Sequence, residues 1–402
     1  MVSPTLDTSR PVILLDGGSR LDLGIVRSLG LAGVPVHLLC SDSRSITTTS
    51  RYVTAVHDFP PRDAPAEVCL AQLRATARAL SPRAVILPTG DSALQFLSAC
   101  RDGFADLVDH DLPPAEVVDR CIRKDRFAYW AAHAGVPVPP TFVPRDAADV
   151  RAAAGDLAFP VFVKPWVHEH WDRLPPGIVG HVRGERVDSA GDLVRLFDRL
   201  EGQGNGADHA VVQQFVPGTD REHVDVHAYI DGAGRVLGVF SARKLRIWPP
   251  HRGLGVLVRS ERLPAAVEVT LCALQRLGVT GMANVNLKFD PTRGAYRLFE
   301  INCRYSTWTE LPTRCGCNFP LVAYAAITGQ EPPSLHQREG TEWLDFERDW
   351  DAMATYRRER EWSWTSYFGS LVHVRHGAFF AWDDPAPFFS SLARRVSGPA
   401  IQ

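Results

Sequence analysis

Apolar runs of strand length alternate with helical patterns over the first hundred residues. Residues 12–15 are apolar, and after the Gly17-Gly18 turn the apolar residues recur at helical spacing. Two further apolar runs cover residues 34–39 and 84–87. Continuous apolar strands separated by helices are typical of a parallel sheet that is covered on both faces. The pattern predicts a doubly wound, Rossmann-like α/β domain over residues 1–114.

The Gly17-Gly18 turn leaves a second interpretation open, a dinucleotide site. A Rossmann fingerprint needs glycines at the spacing G-x-G-x-x-G, whereas the next glycine here is Gly24. An NAD-dependent enzyme is therefore the weaker interpretation. Glycines that only make a tight turn between a strand and a helix explain the same residues.

The pattern changes after Pro113-Pro114. A helical segment containing Lys124 ends at Gly135, and a proline-rich connector follows over residues 136–141. Short strands then alternate with helices in an α+β pattern, which predicts a second domain over residues 115–332 and a small tryptophan-rich C-terminal extension over residues 333–402. The expected strands of the second domain cover residues 160–164, 210–215, 224–230, 236–241, 284–290 and 296–302.

The most informative segment is the predicted β-hairpin over residues 284–302. If Asp290 lies across from Tyr296, antiparallel pairing places Asn286 opposite Glu300 on the same face of the hairpin. Period-two alternation adds Asn302 to that face. The opposite, apolar face is then expected to carry Val285, Leu287, Phe299 and Ile301.

An oxygen-rich trio of this kind is suited to a hard metal ion. Asn286, Glu300 and Asn302 offer one carboxylate and two amides, and Mg²⁺ prefers such oxygen ligands while keeping positions free for phosphates. Polar residues that simply face water on one side of a hairpin explain the same pattern. The residues alone leave both interpretations open.

The sequence Glu300-Ile301-Asn302-Cys303-Arg304 resembles the E-x-N-x-R signature of the ATP-grasp enzymes, the superfamily of carbamoyl phosphate synthetase, D-alanine ligase and the carboxylate-amine ligases. Residues 124–141 are similar to that family's entry helix and G-x-P-x-P-x-T connector, residues 159–165 to its ATP-lysine strand, and residues 211–218 to its hinge strand. The resemblance covers about residues 115–330. It implies an ATP-grasp fold with a pre-ATP-grasp N-terminal domain and a lid subdomain at about residues 140–216.

The resemblance also implies a nucleotide site for ATP and an ion site for Mg²⁺ or Mn²⁺. Lysines would act as point charges on the phosphates, the hinge would hold adenine, and an acid would bind the ribose. The implied nucleotide residues are Lys124, Lys164, Gln214, Phe215, Val216 and Glu222. The implied ion ligands are Glu300, Asn302 and Asn286, of which Asn286 is neutral where many relatives carry an acid.

Three basic residues are the candidates for catalysis. Lys244 and Arg246 alternate on one predicted strand face and resemble a basic pair that meets the γ-phosphate and the acyl phosphate. Arg304 is suited to orient an acyl phosphate or a carboxylate, because a guanidinium binds such anions through two parallel bonds. A solvated basic strand end explains Lys244 and Arg246 nearly as well. Where the family often has a glycine-rich flap, this chain has the aromatic segment Trp166–Trp171.

Composition narrows the class of function. The chain has 402 residues and a net charge of −2, from 44 basic and 46 acidic residues, and thus no global field for nucleic acid or anionic lipid. No segment has the length and apolar character of a membrane span or a leader, so we expect a cytoplasmic protein. The eight cysteines are scattered, and the pair Cys315 and Cys317 lacks partners for a zinc site. Two histidines flanking Glu169 make a zinc site there a remote alternative.

Together these features predict an ATP-dependent ligase that activates a carboxylate as an acyl phosphate and joins it to an amine. A bicarbonate-using enzyme that forms carboxyphosphate or carbamoyl phosphate, an ATP-grasp kinase and a non-catalytic nucleotide sensor are the alternatives. Residues 16–20, Asp91, the Trp166–Trp171 segment and residues 314–318 are candidates for substrate selection. The tryptophans of the C-terminal extension would close over the substrate cleft or form the interface of a homodimer.

Overall fold

The computed structural model describes residues 6–397 apart from residues 62, 168, 205 and 207. The first part of the chain forms a parallel four-stranded sheet of order β3-β2-β1-β4. Its elements are β1 (Val12–Asp16), α1 (Arg20–Gly30), β2 (Val36–Cys40), β3 (Val53–Asp58), α2 (Ala66–Ala79), β4 (Val85–Ile86) and α3 (Asp91–Ala99), followed by α4 (Ala115–Ile122) and α5 (Lys124–His133).

Both faces of this first sheet are buried, which explains its continuous apolar runs. Ile13 and Leu15 lie in one core with residues of α2 and α3, whereas Val12 and Leu14 lie in another core with α1. The predicted doubly wound α/β arrangement is confirmed. The edge strand β3 was not predicted, because only alternate residues of this strand are shielded from water and it contains no apolar run.

The second part of the chain forms an antiparallel sheet of order β5-β8-β6-β7 with a separate core. In this core Val161 and Val163 of the sheet pack with Leu193 and Phe197. The lid subdomain predicted at about residues 140–216 contains this sheet and its core, and its status as a subdomain stays a prediction. The elements are β5 (Thr141–Phe142), α6 (Ala147–Ala153), β6 (Val161–Pro165), α7 (Glu169–Asp172), β7 (Glu185–Val187), α8 (Ala190–Glu201) and β8 (Ala210–Gln214).

The third and largest sheet has seven strands in the order β13-β12-β9-β10-β11-β14-β15. Its elements begin with β9 (His223–Ile230), β10 (Val236–Trp248), β11 (Leu254–Ser260), α9 (Pro264–Arg276), β12 (Gly281–Asp290), β13 (Ala295–Asn302), α10 (Glu310–Arg314) and α11 (Phe319–Ile327). They continue with β14 (Glu342–Leu344), α12 (Phe346–Arg358), α13 (Trp364–Leu371), β15 (Val374–Gly377) and α14 (Ala386–Ser397).

The C-terminal segment is part of the central sheet and not a separate appendage. Strand β14 pairs with β11, and β15 pairs with β14, so residues 342–377 complete one edge of the seven-stranded sheet. Strands of three and four residues are too short to give a recognisable alternation in the sequence. Within the described residues, no helix is both long enough and apolar enough to cross a bilayer.

A buried arginine joins three distant parts of the chain. Arg27 of α1 is fully buried, and its guanidinium donates to Glu310 at 2.9 Å and to Asp384 at 3.0 Å. The same group also donates to the main-chain oxygen of Phe379 at 2.7 Å. The pairing neutralises charge that would otherwise be very costly to bury, and it fixes the C-terminal segment against the first sheet.

Replacement of Arg27 tests this junction. Arg27→Met would leave the Asp384 carboxylate buried without its cation and would leave Glu310 with Arg314 alone, so we expect a loss of about 3–5 kcal/mol in the free energy of unfolding. Urea unfolding followed by circular dichroism measures the loss. Arg44→Met is the control, because the Arg44 side chain is 84% exposed and we expect no measurable change. Equal stability of the two variants would contradict the proposed role of the junction.

Candidate functional site

The hairpin of β12 and β13 carries the predicted oxygen ligands in the predicted register. Asn286 pairs with Glu300, and Asn284 pairs with Asn302. Near the turn the register differs by one residue, because Asp290 pairs with Ala295 and not with Tyr296. A β-bulge between the two halves of the hairpin absorbs this difference.

The bulge corrects one sequence-based expectation, the position of Phe299. Beyond the bulge Leu298 pairs with Leu287 and is fully buried, whereas Phe299 has no partner in the register. Phe299 therefore lines the cleft beside Glu300 and does not lie on the apolar face. The amino group of Lys164 lies 5.0 Å from the centre of the Phe299 ring.

The oxygen-rich trio contacts two of the predicted basic residues. Asn302 donates to Glu300 Oε1 at 3.2 Å, and its own side-chain oxygen accepts from Arg304 at 3.1 Å. The side-chain oxygen of Asn286 accepts from Lys244 Nζ at 2.8 Å. The structure therefore brings Glu300, Asn302 and Asn286 together with Lys244 and Arg304 at one end of a cleft.

Strand β9 adds an acidic residue that the sequence interpretation missed. Asp225 pairs with Asn286 in the register, and its carboxylate lies 2.8 Å from Lys244 Nζ. Burial raises the pKa of Asp225, and the ion pair with Lys244 opposes that shift. The polar residues His223, Asp225 and His227 alternate within an otherwise buried strand. That spacing is the pattern from which Asp225 could have been found.

Cations from the lid line the same end of the cleft. Lys164 on β6 donates to Gln213 Oε1 at 3.1 Å, and burial lowers the pKa of Lys164 to about 8. Lys124 begins α5 and lies in the same cavity wall. Arg183, from the segment before β7, also lines this cavity and was not predicted. It lies where the chain departs from the family's usual flap, so the resemblance gave no guide to it.

Arg304 connects the hairpin to the first sheet. Its guanidinium binds the Asp91 carboxylate through two hydrogen bonds of 2.6 and 2.9 Å. Asp91 is the first residue of α3, just after the parallel strand β4. Ligands of open α/β sheets bind beyond the carboxyl ends of the strands, so the first domain contributes to the site from its usual functional edge.

Arg246 does not lie in the site. The prediction that it lies beside Lys244 on the same strand face is therefore wrong. Register shifts in the pairing of β10 with β11 around Arg246 break the alternation between Lys244 and Arg246. Arg246 is fully buried and binds Asp349 of α12 through two bonds of 2.6 and 2.8 Å. The rings of Trp362 and Tyr367 lie 4.5 and 4.8 Å from its guanidinium. Arg246 therefore attaches the C-terminal segment to the central sheet.

The predicted hinge lies between two adjoining cavities. A cavity of about 130 Å³ contains the charged end just described, and a larger one of about 810 Å³ lies beyond the hinge. Gln214, Phe215 and Val216 line both. Lys288, which was not predicted, donates to the main-chain oxygen of Val216 at 2.9 Å, and burial lowers the pKa of Lys288.

Glu222 lies beside the larger cavity. Its carboxylate accepts a hydrogen bond from the Thr219 hydroxyl at 2.6 Å, and Thr219 is among the residues that line the cavity. Glu222 is half-buried and lies close to the hinge, and its role as a ribose-binding acid stays a prediction.

The two tryptophans of the expected flap pack within the lid. Trp166 stacks on His209 with ring centres 4.3 Å apart and donates to the main-chain oxygen of Ala210, and Trp171 is fully buried. Trp171 therefore contributes to the core of the lid. The remote zinc alternative involves residue 168 and the side chain of Glu169, which lie outside the described residues. Cys315 and Cys317 are buried free thiols.

No protein-family model matches the chain. Among characterised proteins, the chain is similar to D-aspartate ligase from Enterococcus faecium, with 25% identity over 287 residues that cover 66% of this chain and 67% of the relative. Among solved structures, L-amino acid ligase from Bacillus licheniformis has a TM-score of 0.59 at 17% identity, over 81% of this chain and 75% of that one. The ADP complex of PurK, an N5-carboxyaminoimidazole ribonucleotide synthetase, has a TM-score of 0.62 at 12% identity. This match covers 83% of this chain and 80% of the PurK chain.

These neighbours share the arrangement that the sequence motifs implied. The likeness extends over about four fifths of the chain, and so includes more than the segment in which the motifs were found. The chain therefore has the ATP-grasp fold, and its relatives are ATP-grasp carboxylate-amine ligases.

Proposed function

We propose that this protein is an ATP-dependent ligase that activates a carboxylate as an acyl phosphate and condenses it with an amine. The observation that carries the proposal is the oxygen trio of Glu300, Asn302 and Asn286, in which Asn286 accepts a hydrogen bond from Lys244 and Asn302 accepts one from Arg304. Phosphoryl transfer needs little beyond positioning and neutralisation of charge, and this set of groups supplies both.

ATP is the co-substrate that suits the cleft. Its phosphates would lie at the narrow end against Lys124 and Lys164, and its base would lie at the hinge of Gln214, Phe215 and Val216. The main-chain N–H of Phe215 already donates to Pro160 at 3.1 Å, so the base would use the remaining groups of the hinge. Glu222 would bind the ribose. The ADP complex of a neighbour with the same fold supports nucleotide use.

The oxygen trio fits a divalent ion such as Mg²⁺ or Mn²⁺. The oxygens of Asn286 and Asn302 each accept one hydrogen bond from a cation, and an amide oxygen has a second lone pair for an ion. Glu300 adds the carboxylate that a hard ion prefers. When bound, the ion would neutralise charge on the phosphates. Glu300, Asn302 and Asn286 would hold it.

The reaction would proceed in two steps. Arg304 would orient the substrate carboxylate so that one of its oxygens attacks the γ-phosphorus, and ADP would leave. Lys244 would stabilise the negative charge on the transferred phosphoryl group and on the tetrahedral intermediate that forms when the amine attacks the acyl carbon. Phosphate would then leave with the activated oxygen. The products would be an amide, ADP and phosphate, and no protein nucleophile would be needed.

The two substrates would enter from the side of the first domain. Asp91 and Arg304 bind each other where the hairpin meets the carboxyl end of β4. A carboxylate beside Arg304 would then lie between this ion pair and the phosphates. A homodimer stays a prediction, and the exposed aromatic side chains of the C-terminal segment, such as Trp382 at 88% exposure, are the surface available for it.

Product analysis tests the proposed reaction. With ATP and Mg²⁺ against a pooled panel of amino acids, other carboxylates and amines, we expect phosphate release together with a product lighter than its two substrates by one water, detected by mass spectrometry. A phosphorylated product without condensation would indicate a kinase, and turnover with bicarbonate alone would indicate the carboxyphosphate alternative. Either result would contradict the ligase.

Glu300→Gln tests the ion site directly. The substitution keeps the shape of the side chain but removes the charge that faces the ion, so we expect ATP turnover to fall by at least 100-fold, on the order of 3 kcal/mol in activation free energy. The unfolding midpoint should change little, because Glu300 is only partly buried and lines the cleft. Glu268→Gln is the matched control on the exposed face of α9. Unchanged turnover in Glu300→Gln would remove the basis for the site.

The lowered pKa of Lys164 predicts a pH dependence. The charged form binds the phosphates, and in the free enzyme this form is lost as the pH rises through about 8. We therefore expect kcat/KM for ATP to fall above that pH. In Lys164→Arg the charge persists to much higher pH, so the fall near pH 8 should disappear even if the rate is lower. The same fall in both proteins would assign the titration to another group.

A further inference from the structure

The turn between β10 and β11, residues 249–253, forms part of the wall of the cleft. Its residue Arg252 lines the smaller cavity together with Lys164, Lys244 and Glu300, and it also lines the larger cavity beyond the hinge. A nucleotide that has its base at the hinge and its phosphates at the charged end would therefore pass the Arg252 side chain. No sequence motif indicated a role for this turn.

Arg252 has no partner within the protein that would occupy its guanidinium. Among the described residues, its side chain takes part in no hydrogen bond and no ion pair. The acids Asp220 and Glu359, which line the larger cavity, are both engaged by His251. A guanidinium carries five N–H donors in a planar fork, which matches the oxygens of a phosphate. Arg252 can therefore offer all of its donors to a ligand.

The backbone of the turn fixes the position of Arg252. The Arg252 N–H donates to the main-chain oxygen of Pro249 at 3.3 Å, and the two residues between them are Pro250 and His251, whose φ is 68°. Proline at the second position and a positive φ at the third are the signature of a type II β-turn. A Cβ added to Gly253 would lie 1.9 Å from a main-chain oxygen at the end of β10. The turn therefore has little freedom to adopt another shape.

His251 is held in this unusual conformation by three short contacts. Its main-chain N–H donates to Asp220 Oδ2 at 3.0 Å, its Nδ1 lies 3.2 Å from the same oxygen, and its Nε2 lies 2.6 Å from Glu359 Oε2. The hydrogen bond with Asp220 raises the pKa of His251 to about 9, so both ring nitrogens donate at neutral pH. A residue other than glycine keeps a positive φ only where its surroundings impose it. The segment after the hinge and the end of α12 thus both fix the turn that carries Arg252.

We propose that Arg252 binds the phosphates of the nucleotide, and that His251 is the positioning residue that holds Arg252 at the cleft. The inference rests on the proposed function and adds to it two residues that no motif indicated. The charged end already supplies lysines, which act as point charges. Arg252 would add a planar donor from a separate turn, and phosphate oxygens would replace the water around its guanidinium.

Ligands with and without phosphates test the assignment of Arg252. We would measure the dissociation constant of Mg-ADP by isothermal titration calorimetry, and that of adenosine by its displacement of Mg-ADP. In Arg252→Gln we expect the dissociation constant of Mg-ADP to rise by about tenfold or more, the loss typical of a charged hydrogen bond, whereas that of adenosine stays unchanged. Arg252→Lys should recover part of the loss, because a point charge remains.

Arg235→Gln is the matched control at the other end of β10. The Arg235 side chain is 76% exposed and pairs with Asp231, so neither dissociation constant should change. Because the Arg252 side chain has no ion-pair partner among the described residues, the unfolding midpoint of Arg252→Gln without nucleotide should equal that of the unmodified protein. An equal loss of affinity for adenosine and Mg-ADP in Arg252→Gln, or no loss for Mg-ADP, would overturn the assignment.

A double-mutant cycle tests the positioning role of His251. Asparagine tolerates a positive φ but is too short to replace the contact with Glu359, so His251→Asn should weaken the binding of Mg-ADP and leave that of adenosine unchanged. Adding His251→Asn to Arg252→Gln should produce no further loss, because His251 acts through Arg252. Additive losses in the double variant would show that His251 acts independently, and its positioning role would then be wrong.

The unmodified protein distinguishes the two proposals. If it binds Mg-ADP but Arg252→Gln keeps the full affinity for Mg-ADP, only the inference about Arg252 fails. If the unmodified protein does not bind Mg-ADP, the proposed ligase function fails, and the inference about Arg252 fails with it.

Discussion

The excess of positive charge held away from bulk water is the constraint on which the cleft depends. Lys124, Lys164, Arg183 and Lys244 line the smaller cavity together with the acid Glu300, and Asp225 pairs with Lys244. Burial lowers the pKa of Lys164 and Arg183, which shows that the fold carries these charges at a cost. Polyphosphate and carboxylate ligands would supply the missing negative charge. We therefore expect bound substrates to stabilise the folded protein, because their negative charge would neutralise these cations.

Arginines connect the C-terminal segment to the rest of the molecule in several places, three of which involve fully buried or nearly buried acids. Arg27 reaches Asp384, Arg246 reaches Asp349, and Arg20 reaches Asp345. Each pair crosses between elements that are far apart in sequence, and the acids are buried in every case. Paired buried charges fix orientation more strictly than apolar packing, because they lose most of their benefit when geometry changes. Helix α12 and its neighbours are thereby held in a fixed position beside the cleft.

The sequence was sufficient for the parts of the fold that repeat a simple pattern. The apolar runs of β1 and β2 predicted the first sheet, and the alternation around Glu300 predicted its pairing with Asn286. Where a single extra residue changes the alternation, the sequence was not sufficient. The bulge near Phe299 and the register shifts around Arg246 each changed the direction of a side chain.

Other residues of the site could not be predicted because their position depends on tertiary contacts. Arg183 lies in a segment without a recognisable motif. Asp225 is a partial exception, because the alternation of His223, Asp225 and His227 could have indicated it, although its apolar neighbours favour a core strand. In each case the chemistry of the residue is ordinary, and only its neighbours make it part of the cleft.

The junction at Arg27 has a consequence for how the protein is made. The Arg27 guanidinium and the Asp384 carboxylate are separated by 357 residues. During synthesis α1 emerges early, yet its charged side chain cannot be neutralised by Asp384 until nearly the whole described chain has left the ribosome. Long-range closure of this kind slows folding and prolongs the life of partly folded states. The Arg27 junction can therefore close only after Asp384 has emerged, and a nascent chain that stalls before Asp384 would remain recognisable to chaperones as unfinished.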